Sequence, residues 1–411
     1  LDRKSAQKNR KIDRNSFSNP LKAKTMPEEE VLFQITKDKL ETGMRGFPVG
    51  YCTTSHVDPQ KGLFYMNKPV GELSTWDPVQ VIYLLYTGKE GTGAEVDKFK
   101  KDLLERSRCR EETVGAVQRL PRHGHPMKLF CSSLLILGMY ESSGDYKEDC
   151  LNLIAKIPHL TAVVINHRAG WEETPDPRPE LGYMENFAQM LGAPGADLNE
   201  LTRAFKLFNI LHFDHGGGNL STFVGKAVAS GLEDMYGSIC SAMCALAGPR
   251  HGRANQDCLE FVREVLKEVG ENATPSQIEA LIRHRLANNQ LVFGFGHAVL
   301  RVEDPRATVQ YDFVKKHYPD HPLVKIALLL RTEGTKVLSE NPKIADPHPN
   351  VDAVSGTMLT AAGFGYPEYY TILFGLSRTV GIAIQIVYER CEARGGKGTP
   401  IVRPKYLFKA R

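Results

Sequence analysis

No run in these 411 residues approaches the roughly eighteen consecutive apolar residues that would span a bilayer, so the sequence offers no membrane-crossing helix. Paired cysteines are also missing. The eight (Cys52, Cys109, Cys131, Cys150, Cys240, Cys244, Cys258 and Cys391) are scattered without a C-x-x-C, which argues against a disulfide framework or structural zinc site and fits a reducing compartment. A strong charge of either sign is lacking. A net +4 is too balanced for a nucleic-acid binder, although local basic patches could still meet phosphates. Strand–helix alternation and internal repeats are absent too, so a doubly wound sheet and a solenoid are excluded.

What is present is helical periodicity over most of the chain. Hydrophobic residues make up 42% of the sequence, enough for sizeable cores, and the length favours two domains. From Pro78 onward, Val79, Ile82, Leu84 and Leu85 and then Val96, Phe99, Leu103 and Leu104 recur at helical spacing, and further helices are predicted over 129–139 and 150–165, with Pro158 expected to kink or split the last. Further helices are predicted over 184–191, 198–211, 234–247, 255–269, 275–286, 306–317, 322–339, 351–362, 367–374 and 377–390. The β signal is confined to Tyr51–Thr54 and Leu63–Met66, which flank a turn at Asp58–Gly62 and read as one hairpin. Residues 1–30 read as an extended arm or the remnant of a transit peptide.

Five stretches could carry chemistry. In His212-Phe213-Asp214-His215-Gly216-Gly217-Gly218-Asn219, two histidines three apart suit one helical face, which invites a zinc reading. The ligand count falls short of a zinc site and there is no H-E-x-x-H, so no metal is expected. Leu246-Ala247-Gly248-Pro249-Arg250-His251-Gly252 interrupts an apolar run and leaves His251 between small residues, before a helix. A helix N-terminus disfavours imidazolium, and a neutral imidazole can donate to an enolate; a structural turn histidine is the alternative.

Phe293-Gly294-Phe295-Gly296-His297-Ala298-Val299-Leu300-Arg301, followed by Asp304-Pro305-Arg306, fails as a dinucleotide fingerprint. It offers bare backbone for a purine edge, a histidine, and arginines suited to carboxylates or phosphates; an ordinary Gly-rich connection is the other reading. Asp352, in Asn350-Val351-Asp352-Ala353-Val354-Ser355-Gly356, is a helix cap or a carboxylate base in a dry site. Arg378, in Phe374-Gly375-Leu376-Ser377-Arg378, lies in an apolar helical run and needs an anion, supplied by the protein or by a ligand. Gly395–Pro400 lacks the Lys-Ser/Thr step of a phosphate loop and reads as a flexible segment.

In this order and at these separations, L-A-G-P-x-H-G-x-A-N-Q, G-x-G-H-A-V-L-R-x-x-D-P-R, N-V-D-A-x-S-G and F-G-x-S-R resemble the citrate synthase family from about Gly43 to Arg403. The likeness is to its dimeric, eukaryote-type branch, without the N-terminal β-domain of NADH-inhibited hexamers. The resemblance implies a mostly α, two-domain fold, with residues 1–252 and 364–411 in a large dimer-forming domain and residues 253–363 in a small mobile one. It implies an acyltransferase of the tricarboxylic acid cycle that condenses acetyl-CoA with oxaloacetate and hydrolyses citryl-CoA, with no separate cofactor.

By the same resemblance, Asp352 is the base, His251 donates to the thioester oxygen, and His297 polarises the ketone. His215, Arg306 and Arg378 hold oxaloacetate, with Arg403 reaching into the partner's site of a homodimer. Arg45, Arg301, Gly294 and Gly296 meet CoA. The chain departs from the family at Phe293 and Phe295 (Pro and Tyr in close relatives), at Val354 (a histidine) and at Gly216 (a glutamate). A 2-methylcitrate synthase using propionyl-CoA shares the machinery, and one methyl is worth only about 1–3 kcal/mol of discrimination. A metal-dependent hydrolase on His212 and His215, or a helical dimer without catalysis, are the readings from other classes. The compartment expected is the cytoplasm in a bacterium or the mitochondrial matrix in a eukaryote.

Overall fold

The computed structural model describes residues 31–410, so the arm reading of residues 1–30 lies outside the described residues. The chain forms two units that meet at Gly50/Tyr51. The described part of the first, residues 31–50, is almost wholly exposed. It holds a single 3-10 turn (Lys37–Lys39) and a Phe33–Phe47 ring pair 4.6 Å apart. Arg45 sits there, exposed, in a turn closed by the Phe47 N–H donating to the Met44 carbonyl at 3.0 Å.

The second unit is mostly α. Its three short strands, β1 (Ser55–Asp58), β2 (Gly62–Tyr65) and β3 (Lys68–Pro69), form an antiparallel sheet in that order. The first strand begins four residues later than the alternation suggested. Asp58 Oδ1 accepts from the Gln60 and Lys61 amides at 2.8 and 2.9 Å, which fixes the turn after Asp58. Upstream, the hydroxyls of Thr54 and Ser55 are committed elsewhere, as shown below.

Most helices follow the apolar spacing, and their ends follow capping chemistry. Asp77, Asp145 and Asp197 accept first-turn amides, and Thr92 and Glu95 form a capping box. Four features differ from the sequence reading. Tyr146–Ala169 is one helix that is not split at Pro158, and the proline is buried. Helices Glu111–Gln118 and Leu220–Ala229 were not legible, the first because it is short and polar, the second because it starts directly after three glycines. The segments expected as two helices around Gly375 are one, Tyr370–Val387, with all of its residues buried.

That last helix is the axis of the fold. It packs against helices Tyr146–Ala169, Leu198–His212 and Met235–Leu246. With its flanking turns it is long and apolar enough to cross a membrane, yet it is wholly buried within protein. Each large apolar side chain it buries contributes about 1.5–3 kcal/mol, which offsets the cost of placing Arg378 at its centre. Gly381 lets the backbone of Phe213 come close: the Gly381 N–H donates to the Phe213 carbonyl at 3.0 Å, and a Cβ there would lie 2.5 Å from Asp214. The helices Ala254–Val269, Pro275–Ala287, Pro305–His317, Pro322–Ser339 and Asp352–Ala361 pack mainly on one another.

Candidate active site

Asp214 anchors one side. Its carboxylate is fully buried and accepts from the Thr54 hydroxyl, from Ser55 Oγ at 2.7 Å and from Gln385 Nε2 at 2.8 Å. The hairpin therefore exists to grip this residue: its hydroxyls hold the carboxylate, and Tyr65 OH accepts from the Asp214 amide at 3.2 Å. These bonds set the turn that carries His215. Ser55 Oγ also accepts from the Gly216 N–H at 2.7 Å.

The zinc geometry is not formed. The helix ends at His212, so His212 and His215 do not share a helical face. The His212 Nδ1–H donates to the Phe208 carbonyl at 2.7 Å, its ring lies 4.1 Å from the Phe208 ring, and burial lowers its pKa to about 3. His215 is different. Its Nε2 is buried without a hydrogen-bond partner among the described residues, and its ring lies 5.3 Å from that of His297. Burial, then the charges of Arg306 and Arg378, hold its pKa well below the usual value.

His251 and His297 have opposite tautomers, each fixed by backbone. Nε2 of His251 accepts from the Ser221 N–H at 3.2 Å and lies 2.9 Å from Ser221 Oγ, which leaves the proton on Nδ1. Nδ1 of His297 accepts from the Val299 and Leu300 amides at 3.1 and 3.0 Å, which leaves the proton on Nε2. Neither remaining N–H has a hydrogen-bond partner in the described chain. Burial lowers both pKa values, to about 4 for His251 with a further push from Arg378, so both rings are neutral donors. The helix that addresses His251 is not the one that follows it in sequence. Ser221 belongs to the first turn of Leu220–Ala229, whose cap is Asn219.

Asp352 is the first residue of its helix, and its carboxylate is not the cap. Asn350 Oδ1 accepts the Asp352 amide at 3.0 Å instead. Oδ1 of Asp352 is buried without a partner, and burial raises its pKa to about 6 against the opposing pull of Arg306. A carboxylate in this state is a base at neutral pH with a proton affinity well above that of an ordinary aspartate.

The two inner arginines differ in how they are neutralised. Arg306 is 2% exposed and paired through Nε and Nη2 with buried Asp304, the closest contact being 2.6 Å. Arg378 is equally buried but makes no ion pair among the described residues. Its Nε donates to the His212 carbonyl at 3.0 Å, its guanidinium lies 4.8 Å from the Phe374 ring centre, and burial lowers its pKa to about 10. Asp214 is its main stabilising charge, and Asp352 a weaker one. A buried guanidinium with its outer nitrogens unpaired is a receptor for an anion.

The Gly-rich loop positions these groups. The Gly294 carbonyl accepts from the Asn350 N–H at 2.9 Å, the Gly296 N–H donates to the His348 carbonyl at 3.0 Å, and Asn350 Nδ2 donates to the Gly296 carbonyl at 3.0 Å. These bonds zip the His297 loop to the segment that delivers Asp352. Gly294 has φ +85°, and a Cβ there would sit 2.9 Å from Ala353 Cα. Arg301 is exposed and folds back on the same loop, donating to the Leu300 carbonyl at 2.6 Å, and its amide donates to the Pro59 carbonyl at 2.9 Å.

The structure thus brings together His215, His297, Arg306, Arg378, His251 and Asp352, coupled through Arg306 and Arg378. Arg403 is not among them. It lies exposed in an extended C-terminal segment, tethered by the Val402 amide donating to Ser230 Oγ at 2.9 Å. Arg45 belongs to the N-terminal unit. Sequence reasoning missed Ser221, Asn350 and Asp214 as positioning groups and gave Asp304 no role, although D-P-R was a visible motif.

A carboxylate base, two neutral imidazole donors and a buried anion receptor on a helical scaffold define an enzyme that activates a carbon acid beside an anionic partner. The family model for the citrate synthase C-terminal domain matches residues 43–405. The mitochondrial citrate synthase of Citrus maxima is 35% identical, over 91% of this chain and 83% of that one. The peroxisomal citrate synthase of Saccharomyces cerevisiae is 32% identical, over 88% and 82%. Among solved structures, the citrate synthase of Thermotoga maritima superposes with a TM-score of 0.77 at 25% identity, covering 90% of this chain and 96% of that one. That of Thermoplasma acidophilum, solved with carboxymethyl coenzyme A and oxaloacetate, gives 0.77 at 24%, with the same coverage. The chain belongs to the citrate synthase family.

Proposed function

We propose that this enzyme condenses acetyl-CoA with oxaloacetate and hydrolyses the citryl-CoA formed, releasing citrate and CoA. The reading rests on one observation: His251 and His297 each have one ring nitrogen occupied by backbone N–H groups, which leaves one neutral N–H apiece, while Asp352 Oδ1 is buried without a partner and interacts with the same Arg306 and Arg378 charges.

Asp352 takes a proton from the methyl carbon of acetyl-CoA. The thioester oxygen gains charge as it leaves, and the Nδ1–H of His251 donates to that oxygen. A carboxylate alone is a poor match for so weak a carbon acid, so the donor must act in the same transition state. The Nε2–H of His297 polarises the oxaloacetate ketone, and the new carbon–carbon bond delivers an alkoxide that this proton neutralises. Arg306, Arg378 and His215 hold the oxaloacetate carboxylates, and the unpaired guanidinium of Arg378 gains its anion there.

Arg45 and Arg301 are assigned to the CoA phosphates, and Gly294 and Gly296 to the adenine edge. The exposed apolar tail, with Tyr406 at 90% and Phe408 at 94%, suits a second copy of the chain, with Arg403 completing the partner's site. Residues 253–363 would close over the bound substrates and exclude water, with the rest of the chain forming the large domain. The Citrus maxima relative is mitochondrial and the Saccharomyces cerevisiae one peroxisomal, and the cytoplasm of a bacterium or the matrix of a eukaryote suits this chain.

The test is thiol release from acetyl-CoA and from propionyl-CoA, each with and without oxaloacetate. Release that requires oxaloacetate and favours acetyl-CoA is expected. Release without oxaloacetate, or a preference for propionyl-CoA, would overturn the assignment.

A further inference from the structure

Behind the turn that carries His215 lies a buried cation. Lys226, on helix Leu220–Ala229, is buried together with Glu389, and its Nζ lies 2.9 Å from Glu389 Oε1. The same Nζ donates to Gln385 Oε1 at 3.3 Å. Gln385 is two turns beyond Arg378 on helix Tyr370–Val387. Its Nε2 donates to Asp214 Oδ1 at 2.8 Å and to the Gly216 carbonyl at 3.1 Å. Those two acceptors stand on either side of His215 in the chain.

An ammonium only donates, while a carboxylate and a carbonyl only accept. All partners of Gln385 therefore select one orientation of its amide, with Oε1 toward Lys226 and the NH2 toward the turn. Donation from a charged group to Oε1 polarises the amide and strengthens what its NH2 gives to Asp214 and Gly216. Without Lys226, Oε1 loses that donor in a buried setting, and the amide is held from one end only. The glycine run fits this arrangement. A Cβ added at Gly217 would lie 3.1 Å from Lys226 Nζ and 3.4 Å from Gln385 Oε1, so the backbone of the turn rests directly on the pair.

We propose that Lys226 is a positioning residue for oxaloacetate: acting through Gln385, it fixes the Asp214–Gly216 turn and so the places of His215 and of the carboxylate that stabilises Arg378. This rests on the reading above that His215 and Arg378 hold oxaloacetate. Asp214 is the main stabilising charge on Arg378, so one cation behind the site reaches both groups. Helix Leu220–Ala229 also carries Ser221, which sets the His251 tautomer. A general loosening of that helix would lower kcat through His251. The route through Gln385 raises the oxaloacetate requirement instead, so KM and kcat separate the two.

Lys226→Met alone would leave Glu389 buried and unpaired, so the test pairs it with Glu389→Met, which removes both charges. Oxaloacetate is titrated against the full chain at saturating acetyl-CoA, with thermal melts of each variant. The paired variant is expected to raise the oxaloacetate KM about tenfold, with kcat within about twofold of the wild type. Gln385→Met, which leaves the Lys226–Glu389 pair intact, is expected to raise KM at least as much. In that background the paired substitution is expected to add less than about twofold, because no amide remains to be held. Glu389→Gln, which keeps the bond from Lys226 to Gln385, is expected to stay within about twofold of the wild type. An unchanged KM in Gln385→Met or in the folded paired variant overturns the inference, as does a full additional loss on top of Gln385→Met. Arg378→Ala in the same assay separates the two readings. If it raises KM and the paired variant does not, the role of Lys226 falls and the oxaloacetate reading stands; if Arg378→Ala leaves KM unchanged, both fall.

Discussion

His251 and Ser221 are joined through a single ring nitrogen: Nε2 accepts from the Ser221 backbone N–H at 3.2 Å and lies 2.9 Å from its hydroxyl. The contact spans thirty residues and decides which nitrogen of His251 holds the proton. A histidine whose Nε2 is occupied in this way can only donate from Nδ1. His251→Ala should therefore lower kcat by about 10²–10³, the usual cost of losing one donor to a developing oxyanion, with little change in oxaloacetate affinity. Steady-state kinetics with oxaloacetate titrated at saturating acetyl-CoA measures both quantities.

The raised pKa of Asp352 predicts a pH profile. The base works only when ionised, so kcat/KM for acetyl-CoA should fall with a slope of one proton as pH drops through about 6, well above the range of an ordinary aspartate. Asp352→Glu should move this limb. A profile flat to pH 5 would mean that another group takes the proton.

The same shift has a cost in stability. Asp352 binds its proton more tightly folded than unfolded, so its contribution is lost as pH rises from about 4 through about 6 and stays lost above. Asp352→Asn should therefore be more stable than the wild type at pH 7.5, by up to about 3 kcal/mol, with the gain vanishing near pH 4. Urea melts of both proteins at the two pH values check the sign.

Arg378→Ala should raise the oxaloacetate requirement by about 10²-fold or more, because the substrate carboxylate would lose a buried charge-assisted partner. Arg378→Lys should restore little, since a point charge cannot reproduce the guanidinium fork. Oxaloacetate titration of all three proteins, with thermal melts to exclude unfolding, tests the assignment.

Gly294→Ala should lower both stability and turnover. The residue has φ +85°, and its added methyl would press on Ala353 Cα and Cys258 Sγ. About 1–3 kcal/mol of destabilisation is expected, and Asp352 is displaced with the helix it begins. Melts and kcat on the same preparation would show the two effects together.

The side chains proposed for the site were legible because each stands against its surroundings: His251 in a Gly-Pro break, Asp352 among small apolar residues, Arg378 inside an apolar helix. The groups that set their protonation were not. Ser221, Val299 and Leu300 act through backbone amides, and an amide leaves no residue-type signature. Gly294 and Gly296 suggested a ligand loop, and the sequence did not reveal that their backbone groups also hold the Asn350 segment. Pro158 does not split its helix, because the stretch from Ile157 to His167 is buried continuously around it. Cys131 and Cys240 are 109 residues apart, and only packing brings them into contact.

The most direct test of the account is thiol release from acetyl-CoA by Asp352→Asn with oxaloacetate bound. Release slowed by about 10³-fold or more, with oxaloacetate binding close to that of the wild type, is the predicted result. An Asp352→Asn enzyme that binds oxaloacetate normally and keeps most of its turnover would contradict it.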